Sequence, residues 1–317
     1  MLILTGGAGF IGANTLKALN RRGRSDILVV DNVARTEKWK NLVGCAFCRY
    51  LHKDALWRWL DTHSDASLDA VLHMGACTDT LERDFDYLHR NNVDYSRRIW
   101  RLCTERNIPL IYASSAATYG DGTRGFSDRH EDTDRYRPIN PYGYSKHLFD
   151  LWALRQTETP SRWYGVKFFN VYGPRENHKG RMASVARFAI PQAFETGRIR
   201  LFKSHRPDCR DGEQRRDFVF VEDVVDILLH LLEFDLPSGL YNAGSGSAQT
   251  FNHLAEAIFH ALERPVCIEY FDMPESLRDS YQYFTEADMG KLLQAGYPHQ
   301  PTTLEDGIRQ YVQWLLT

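Results

Sequence analysis

The stretch Thr5-Gly6-Gly7-Ala8-Gly9-Phe10-Ile11-Gly12 decides how this chain folds. It follows Met1–Thr5, a short apolar run of strand character. It precedes Phe10–Arg22, whose apolar residues Phe10, Ile11, Leu16 and Leu19 recur at helical spacing, with Gly23 closing the run. Gly6, Gly9 and Gly12 therefore fall in a strand-to-helix turn. The first permits a tight turn, the second lets main chain approach a pyrophosphate, and the third lets helix pack on strand. The helix N-terminus adds free N–H groups and the positive end of its dipole. A glycine triplet alone is a weak signal, but one between a strand and a helix is a dinucleotide-binding signature. Asp31 ends the next apolar run, 19 residues after Gly12, where an acid that binds ribose hydroxyls belongs. Asp31 alone favours NAD. Arg35 and Lys38 follow in the same loop and are able to neutralise a 2′-phosphate, so these residues leave NADP and NAD both open.

Outward from this turn the strand–helix alternation continues. Strands are expected at Ile27–Val30, Ala46–Leu51, Leu68–His73, Pro109–Ala113 and Trp163–Asn170, and helices at Val93–Arg106 and Tyr142–Arg155. Such alternation builds a parallel sheet with right-handed crossovers. The pattern changes after Gly173-Pro174 and returns to strand plus helix at Phe218–Glu233. The fold class is α/β: a Rossmann-type doubly wound parallel sheet with a smaller, discontinuous C-terminal α/β substrate domain. The expected division is 1–170 plus 218–242 for the dinucleotide-binding domain and 171–217 plus 243–317 for the substrate domain.

The 317 residues suit two associated domains, and 43% hydrophobic with 25% charged residues excludes general disorder. Lys+Arg at 39 against Asp+Glu at 41 gives no sign of nucleic acid or anionic membrane as partner. No apolar run approaches the ~18 residues of a membrane span, and Met1–Thr5 reads as a strand without a basic n-region and long apolar h-region, so no signal peptide is expected. The expectation is a cytoplasmic protein. Cys45 and Cys48 form a lone C-x-x-C with no second pair, so packing cysteines are expected rather than a zinc or redox site.

Tyr142-Gly143-Tyr144-Ser145-Lys146 places Tyr142 and Lys146 at i and i+4, on one face of a helix. The Lys146 cation is expected to lower the phenol pKa, so that Tyr142 exchanges a proton near neutrality, and to hold the cofactor ribose. Ser115, in Ser114-Ser115-Ala116-Ala117-Thr118-Tyr119-Gly120 at the end of the fifth strand, offers a hydroxyl to the oxygen of a reacting carbinol or ketone. Together these residues argue for hydride chemistry on a nicotinamide cofactor.

The glycine spacing and the Tyr–Lys pair resemble the extended short-chain dehydrogenase/reductase superfamily. The segment from Phe169 to Ser184, with Glu176-Asn177-His178-Lys179-Gly180-Arg181-Met182-Ala183-Ser184, is more particular. With Gly75-Ala76-Cys77, Asn91-Asn92, Arg216-Asp217-Phe218 and Tyr281-Gln282-x-Phe284-Thr285, it resembles the ADP-L-glycero-D-manno-heptose 6-epimerase family, which serves lipopolysaccharide core synthesis. The resemblance spans most of the chain. It implies epimerisation at C6 of a nucleotide-diphosphate heptose by transient hydride transfer to NADP (or, less preferred, NAD), in a homo-oligomer. Carried over residue by residue, Tyr142 and Lys179 become the acid/base pair. Cofactor positions fall on Gly6, Gly9, Phe10, Ile11, Gly12, Asp31, Asn32, Lys38, Lys53, Met74, Gly75, Ala76, Cys77, Thr78, Asn91, Tyr142, Lys146, Val171 and Lys179. Substrate positions fall on Ser115, Asn170, Arg181, Phe202, Lys203, Ser204, His205, Arg216 and Tyr281. No metal is implied. Some family members have Ser in place of Arg181, and the Phe202–Arg216 stretch is longer here than in the shortest. The rival reading is a UDP-sugar 4-epimerase, which shares all but the His178-Lys179 segment. A 4,6-dehydratase needs an Asp-Glu pair where this chain has Ala116 and Ala117, and a non-enzymatic relative would have lost Tyr142 or Lys146.

Overall fold

The computed structural model describes residues 1–278, 281–298 and 300–316. Seven parallel strands form the main sheet: β1 (Leu2–Thr5), β2 (Ile27–Asp31), β3 (Arg49–His52), β4 (Ala70–His73), β5 (Leu110–Ser115), β6 (Trp163–Phe168) and β7 (Gly239–Ala243). Their order is β7-β6-β5-β4-β1-β2-β3. Every residue of β1 and β2 is buried, which requires helices on both faces.

The long helices are α1 (Phe10–Arg21), α2 (Tyr95–Glu105), α3 (Pro141–Leu154), α4 (Val185–Thr196), α5 (Val221–Glu233), α6 (Phe251–Ala261) and α7 (Leu304–Leu316). On one face Leu16 and Leu19 of α1 and Val224 and Leu228 of α5 pack over Leu2, Leu4 and Val29. On the other face Ile99 and Trp100 of α2 and Phe149 of α3 pack over Ile3, Val71 and Leu110. The chain winds outward to β2 and β3 on one side of β1 and to β4 onward on the other. The crevice beyond the C-terminal ends of β1 and β4 is thus the topological switch point, where open α/β sheets hold ligands.

The expected strand Trp163–Asn170 divides in two. Phe169 is buried and its N–H makes the last ladder bond, to the Ala243 carbonyl (3.1 Å), after which Asn170 N–H turns to the Asp217 carbonyl (3.1 Å) and the chain leaves the sheet. Asn170–Tyr172 then pairs in parallel with Phe218–Phe220. This short ribbon leads to a second apolar core built from Tyr172, Ile190, Ile199, Phe220, Ile258, Phe259, Ile308 and Tyr311, among others. Ala287, Met289 and Leu292 pack instead into the core of the main sheet. The third strand starts at Arg49 rather than Ala46, because Ala46 N–H and carbonyl are both taken by the Asn20 side chain.

Candidate active site

The first turn is as tight as its glycines allow. Gly6 sits at φ +67°, and a Cβ on it would lie 2.6 Å from the Gly75 nitrogen. A Cβ on Gly12 would lie 2.2 Å from the Gly6 carbonyl oxygen. Helix α1 starts at Gly9 with no side-chain cap, so its first N–H groups face the crevice without a partner from the helix. Asp31 closes the turn: its carboxylate accepts from Ala8 N–H (2.9 Å) and Asn32 N–H (2.7 Å). Lys38 Nζ donates to the same carboxylate at 3.0 Å. Gly6, Asp31, Asn32, Lys38, Lys53, Gly75, Ala76, Cys77 and Asn91 line one compartment of the crevice, with Tyr87 and Tyr95 as aromatic walls. A second compartment runs from Gly9, Phe10, Ile11 and Gly12 past Met74 and Thr78 to His178 and Lys179. A main-chain cradle open at a helix N-terminus, continued by these walls, fits a dinucleotide.

The strip after β4 is fixed from two sides. Thr5 Oγ1 accepts from Gly75 N–H (3.1 Å) and bonds His73 Nδ1 (2.6 Å). Asn92 accepts from Cys77 N–H (2.8 Å), and its amide donates to the Cys77 carbonyl and to Ser145 Oγ, both at 3.0 Å. Asn91 accepts from Lys53 Nζ (2.6 Å). Asn91 and Asn92 lie in a π-helical turn, His89–Asp94, that precedes α2, and such turns recur at functional sites. The expected helix at Val93–Arg106 therefore gains a wide first turn that sets Asn91 in the crevice lining and buries Asn92 against Cys77 and Ser145.

Asn140 caps α3 by accepting from Gly143 N–H (2.7 Å), with Pro141 at the first position. That start puts Tyr142 and Lys146 one turn apart, and both are buried. Gly143 permits the approach, since a Cβ there would lie 2.6 Å from the Ala117 carbonyl. The Ser115 hydroxyl hydrogen-bonds Tyr142. Burial pushes the Tyr142 phenol up to about 12, against the pull of Ser115. The expected lowering by Lys146 is not found: desolvation dominates, Ser115 alone opposes it, and Tyr142 rests as the protonated acid. Lys146 Nζ donates to the Ala113 carbonyl (2.8 Å), and burial lowers its pKa to about 8.

Lys179 comes from a separate element, the 3-10 turn Asn177–Met182, which reaches back over the crevice. Its ammonium lies 5.3 Å from the centre of the Phe10 ring, and burial lowers its pKa while the Glu176 carboxylate opposes the shift. Tyr142, Ser115, Lys146, Asn170, Val171, Lys179 and Arg181 line one cleft of about 440 Å³ between the two cores. Arg181 pairs with Asp79 across it (2.9 Å). Asn170 accepts from Thr285 Oγ1 (3.1 Å).

Beyond Tyr142 the cleft is lined by Asn170, Arg216 and Tyr281. The Arg216 guanidinium stacks 5.0 Å over Tyr281 and 5.7 Å over Phe251. Phe202 joins this group edge-on to Tyr281 (6.5 Å). The three residues after Phe202 are not brought in with it. Lys203 turns to Asp272 (3.5 Å), Ser204 N–H donates to Asp211 (2.7 Å), and His205 is held between Tyr283 Oη and Met273 N–H. Acidic and hydroxyl partners within this domain outcompete the cleft for them. Thr5 and Asn92 carry roles that single-residue reading missed, although the Asn91-Asn92 pair was itself a signal. Cys45 and Cys48 donate separately, to the Asn41 and Ile27 carbonyls.

A profile of the NAD dependent epimerase/dehydratase family matches residues 2–244. The chain belongs to that family. Its cofactor is therefore a nicotinamide dinucleotide. The chain is 51% identical to the ADP-L-glycero-D-manno-heptose-6-epimerase of Nitratidesulfovibrio vulgaris Hildenborough, over 99% of its own length and 97% of the relative's. The crystal structure of the Helicobacter pylori protein of the same name is similar with a TM-score of 0.79 at 26% identity, covering 98% of this chain and 94% of that one. A UDP-glucose 4-epimerase from Thermotoga maritima, at TM-score 0.81 and 23% identity over 99% of this chain and 98% of that one, shares the fold. Among the described residues no helix is long and apolar enough to cross a membrane.

Proposed function

We propose that this chain converts ADP-D-glycero-D-manno-heptose to ADP-L-glycero-D-manno-heptose by epimerisation at C6, using NADP, with Tyr142 and Lys179 as the acid/base pair. The observation that carries the reading is that two proton carriers from different elements line one cleft with Ser115 and Lys146. The name borne by the 51%-identical relative supports the substrate. Val171, Lys146 and the glycine turn would hold the dinucleotide, which would supply the hydride acceptor and donor for C6.

What this chain must add is proton handling at the C6 oxygen from two directions. C6 lies outside the pyranose ring, so rotation about one bond turns the other face of the carbonyl, and the whole sugar need not move. In this reading Tyr142, which rests protonated, gives or takes the proton on one side. Lys179, its pKa lowered by burial, does so on the other. Ser115 orients the sugar oxygen, and the buried Arg216 with Tyr281 suits the diphosphate. Lys38 on the Asp31 carboxylate supports NADP, because it offsets the charge that would repel a 2′-phosphate.

The reading includes a sugar-side domain formed by 171–217 and 243–317, apart from Ala243 and the 287–292 stretch that pack with the main sheet, and a cytoplasmic homo-oligomer in the lipopolysaccharide core pathway. Six free cysteines suit a reducing compartment. The test is incubation of the purified protein and NADP with ADP-D-glycero-D-manno-heptose and, in parallel, UDP-galactose, followed by proton NMR. Appearance of the L-glycero epimer alone supports the reading. Turnover of UDP-galactose alone overturns it in favour of a 4-epimerase.

A further inference from the structure

Asn41 has no place in the reaction as set out above, yet its side chain ties together three separate acceptors at the edge of the crevice. It is 8% exposed. Its amide nitrogen donates to the Ala8 carbonyl in the glycine turn (3.0 Å), to the Arg175 carbonyl (3.1 Å) and to His178 Nδ1 (3.1 Å). Arg175 answers with its guanidinium on the Asn41 carbonyl (2.5 Å). Two amide hydrogens serve three acceptors, so one bond is shared. Because that nitrogen donates to two carbonyls, His178 Nδ1 is the acceptor, and the ring carries its proton on Nε2. His178 is neutral in this arrangement: burial, with Lys38 and Lys179 nearby, holds it down at about 4.

The arrangement joins two segments that lie 134 positions apart in sequence. On one side is the 3-10 turn Glu37–Leu42, which carries Lys38 three residues before Asn41. On the other is the segment that carries Lys179. That segment is not at rest in ordinary backbone: Arg175 stands at φ +75°, a conformation that non-glycine residues rarely adopt, and Gly180 at φ +52°. A strained turn of this kind persists only where its surroundings over-determine it. Asn41 holds the strained residue by its carbonyl and the residue next to Lys179 by its ring.

We propose that Asn41 is a positioning residue that couples the cofactor's 2′-phosphate-side turn to Lys179, so that a dinucleotide engaged by the Lys38 turn sets the lysine over the cleft. The proposal rests on Lys179 being the second proton carrier. It predicts a residue outside the cleft whose loss is felt in turnover more than in binding.

The test uses Asn41→Asp, which keeps the size and removes the donors. Turnover of the heptose substrate should fall about 10- to 100-fold, as expected when a reacting group is displaced by a fraction of its reach. KM for the sugar nucleotide should stay within about 2-fold, since Asn41 does not line the sugar cleft. Hydrogen–deuterium exchange supplies the readout that does not depend on activity. In the native protein, the Lys179 and Ala183 amides are bonded to the Glu176 and Gly180 carbonyls, and NADP should slow exchange across 175–183. In Asn41→Asp that protection should be lost while protection at 6–13 is kept. If that variant does not fold, His178→Phe removes one of the three acceptors and should show the same pattern, weaker.

Unchanged turnover with unchanged exchange at 175–183 would overturn the proposal. So would a uniform rise in exchange with a fallen melting temperature and raised KM, which would mark a merely structural residue. If the native protein itself does not turn over the heptose, the functional reading fails, and the NADP-dependent exchange at 175–183 alone decides the coupling.

Discussion

The two ends of the crevice are built by different means. At the dinucleotide end, main chain does the work: glycines leave no room for a Cβ, helix N–H groups face outward, and side chains such as Asp31, Thr5 and Asn92 brace the turns. At the other end, proposed above for the sugar nucleotide, long side chains line the space, and each has a partner in the protein: Lys203 with Asp272, Arg181 with Asp79, Arg216 with two rings. The first end is therefore pre-formed. The second depends on which of two partners a charged group takes. Tyr142 and Lys179 stand where the two ends meet, one fixed by a capped helix and the other by a strained turn.

That contrast is broken or sharpened by substitutions at the junction first. Tyr142→Phe and Lys179→Met should each lower turnover by about 10²- to 10⁴-fold, with a far smaller loss of dinucleotide affinity. Single-turnover kinetics beside a fluorescence titration of the cofactor checks this. Wild-type turnover in both variants would remove the two-carrier account.

The next effect concerns the braced end. His73 is fully buried between Thr5 and Ser96, and burial drives its pKa down to about 3. The unfolded chain binds a proton below pH 6.5 that the native protein refuses, so stability falls as pH drops from 6.5 and is untouched above 7. The loss from this one group amounts to roughly 3 kcal/mol by pH 4. Denaturant melts at pH 7 and 4.5, with His73→Gln as the control that flattens the slope, measure it. An equal slope in the variant would place the acid sensitivity elsewhere.

Smaller effects separate the two ends by cofactor and by substrate. Lys38→Glu should weaken NADP by about 10-fold or more, the scale of a lost charge-assisted bond, and NAD far less. Equal losses would take Lys38 away from the 2′-phosphate. Arg216→Ala should raise the KM for the sugar nucleotide by about 10-fold, because a buried guanidinium is lost, whereas Lys203→Ala should change it less than about 2-fold, because Lys203 is half-exposed and already paired. The reverse order would show that the Phe202–His205 strip turns into the cleft on binding.

The same contrast explains what could be read in the sequence. Glycine spacing, the acid at the end of β2 and the Tyr–Lys pair on α3 obey local rules, and the sheet and dinucleotide end follow from them. The break after Phe169 is set by the distant Asp217 carbonyl, which takes the Asn170 N–H, and the wide turn at His89–Asp94 has no periodic signature. Asn41 is a lone polar residue in a polar loop, and nothing local marks the three acceptors around it. Lys203, Ser204 and His205 were legible as a polar strip, but the partners that draw them aside lie up to 78 positions away. Local rules recover what the backbone enforces and miss what distant side chains compete for.

The central claim is that hydride leaves C6 and returns to the opposite face while the protein's own groups move only protons on oxygen. Turnover of ADP-D-glycero-D-manno-heptose in deuterium oxide, followed by proton NMR with absorbance at 340 nm, tests it directly. The account predicts the L-glycero epimer with protium retained at C6 and no net accumulation of reduced cofactor. Deuterium at C6 of the product would contradict it.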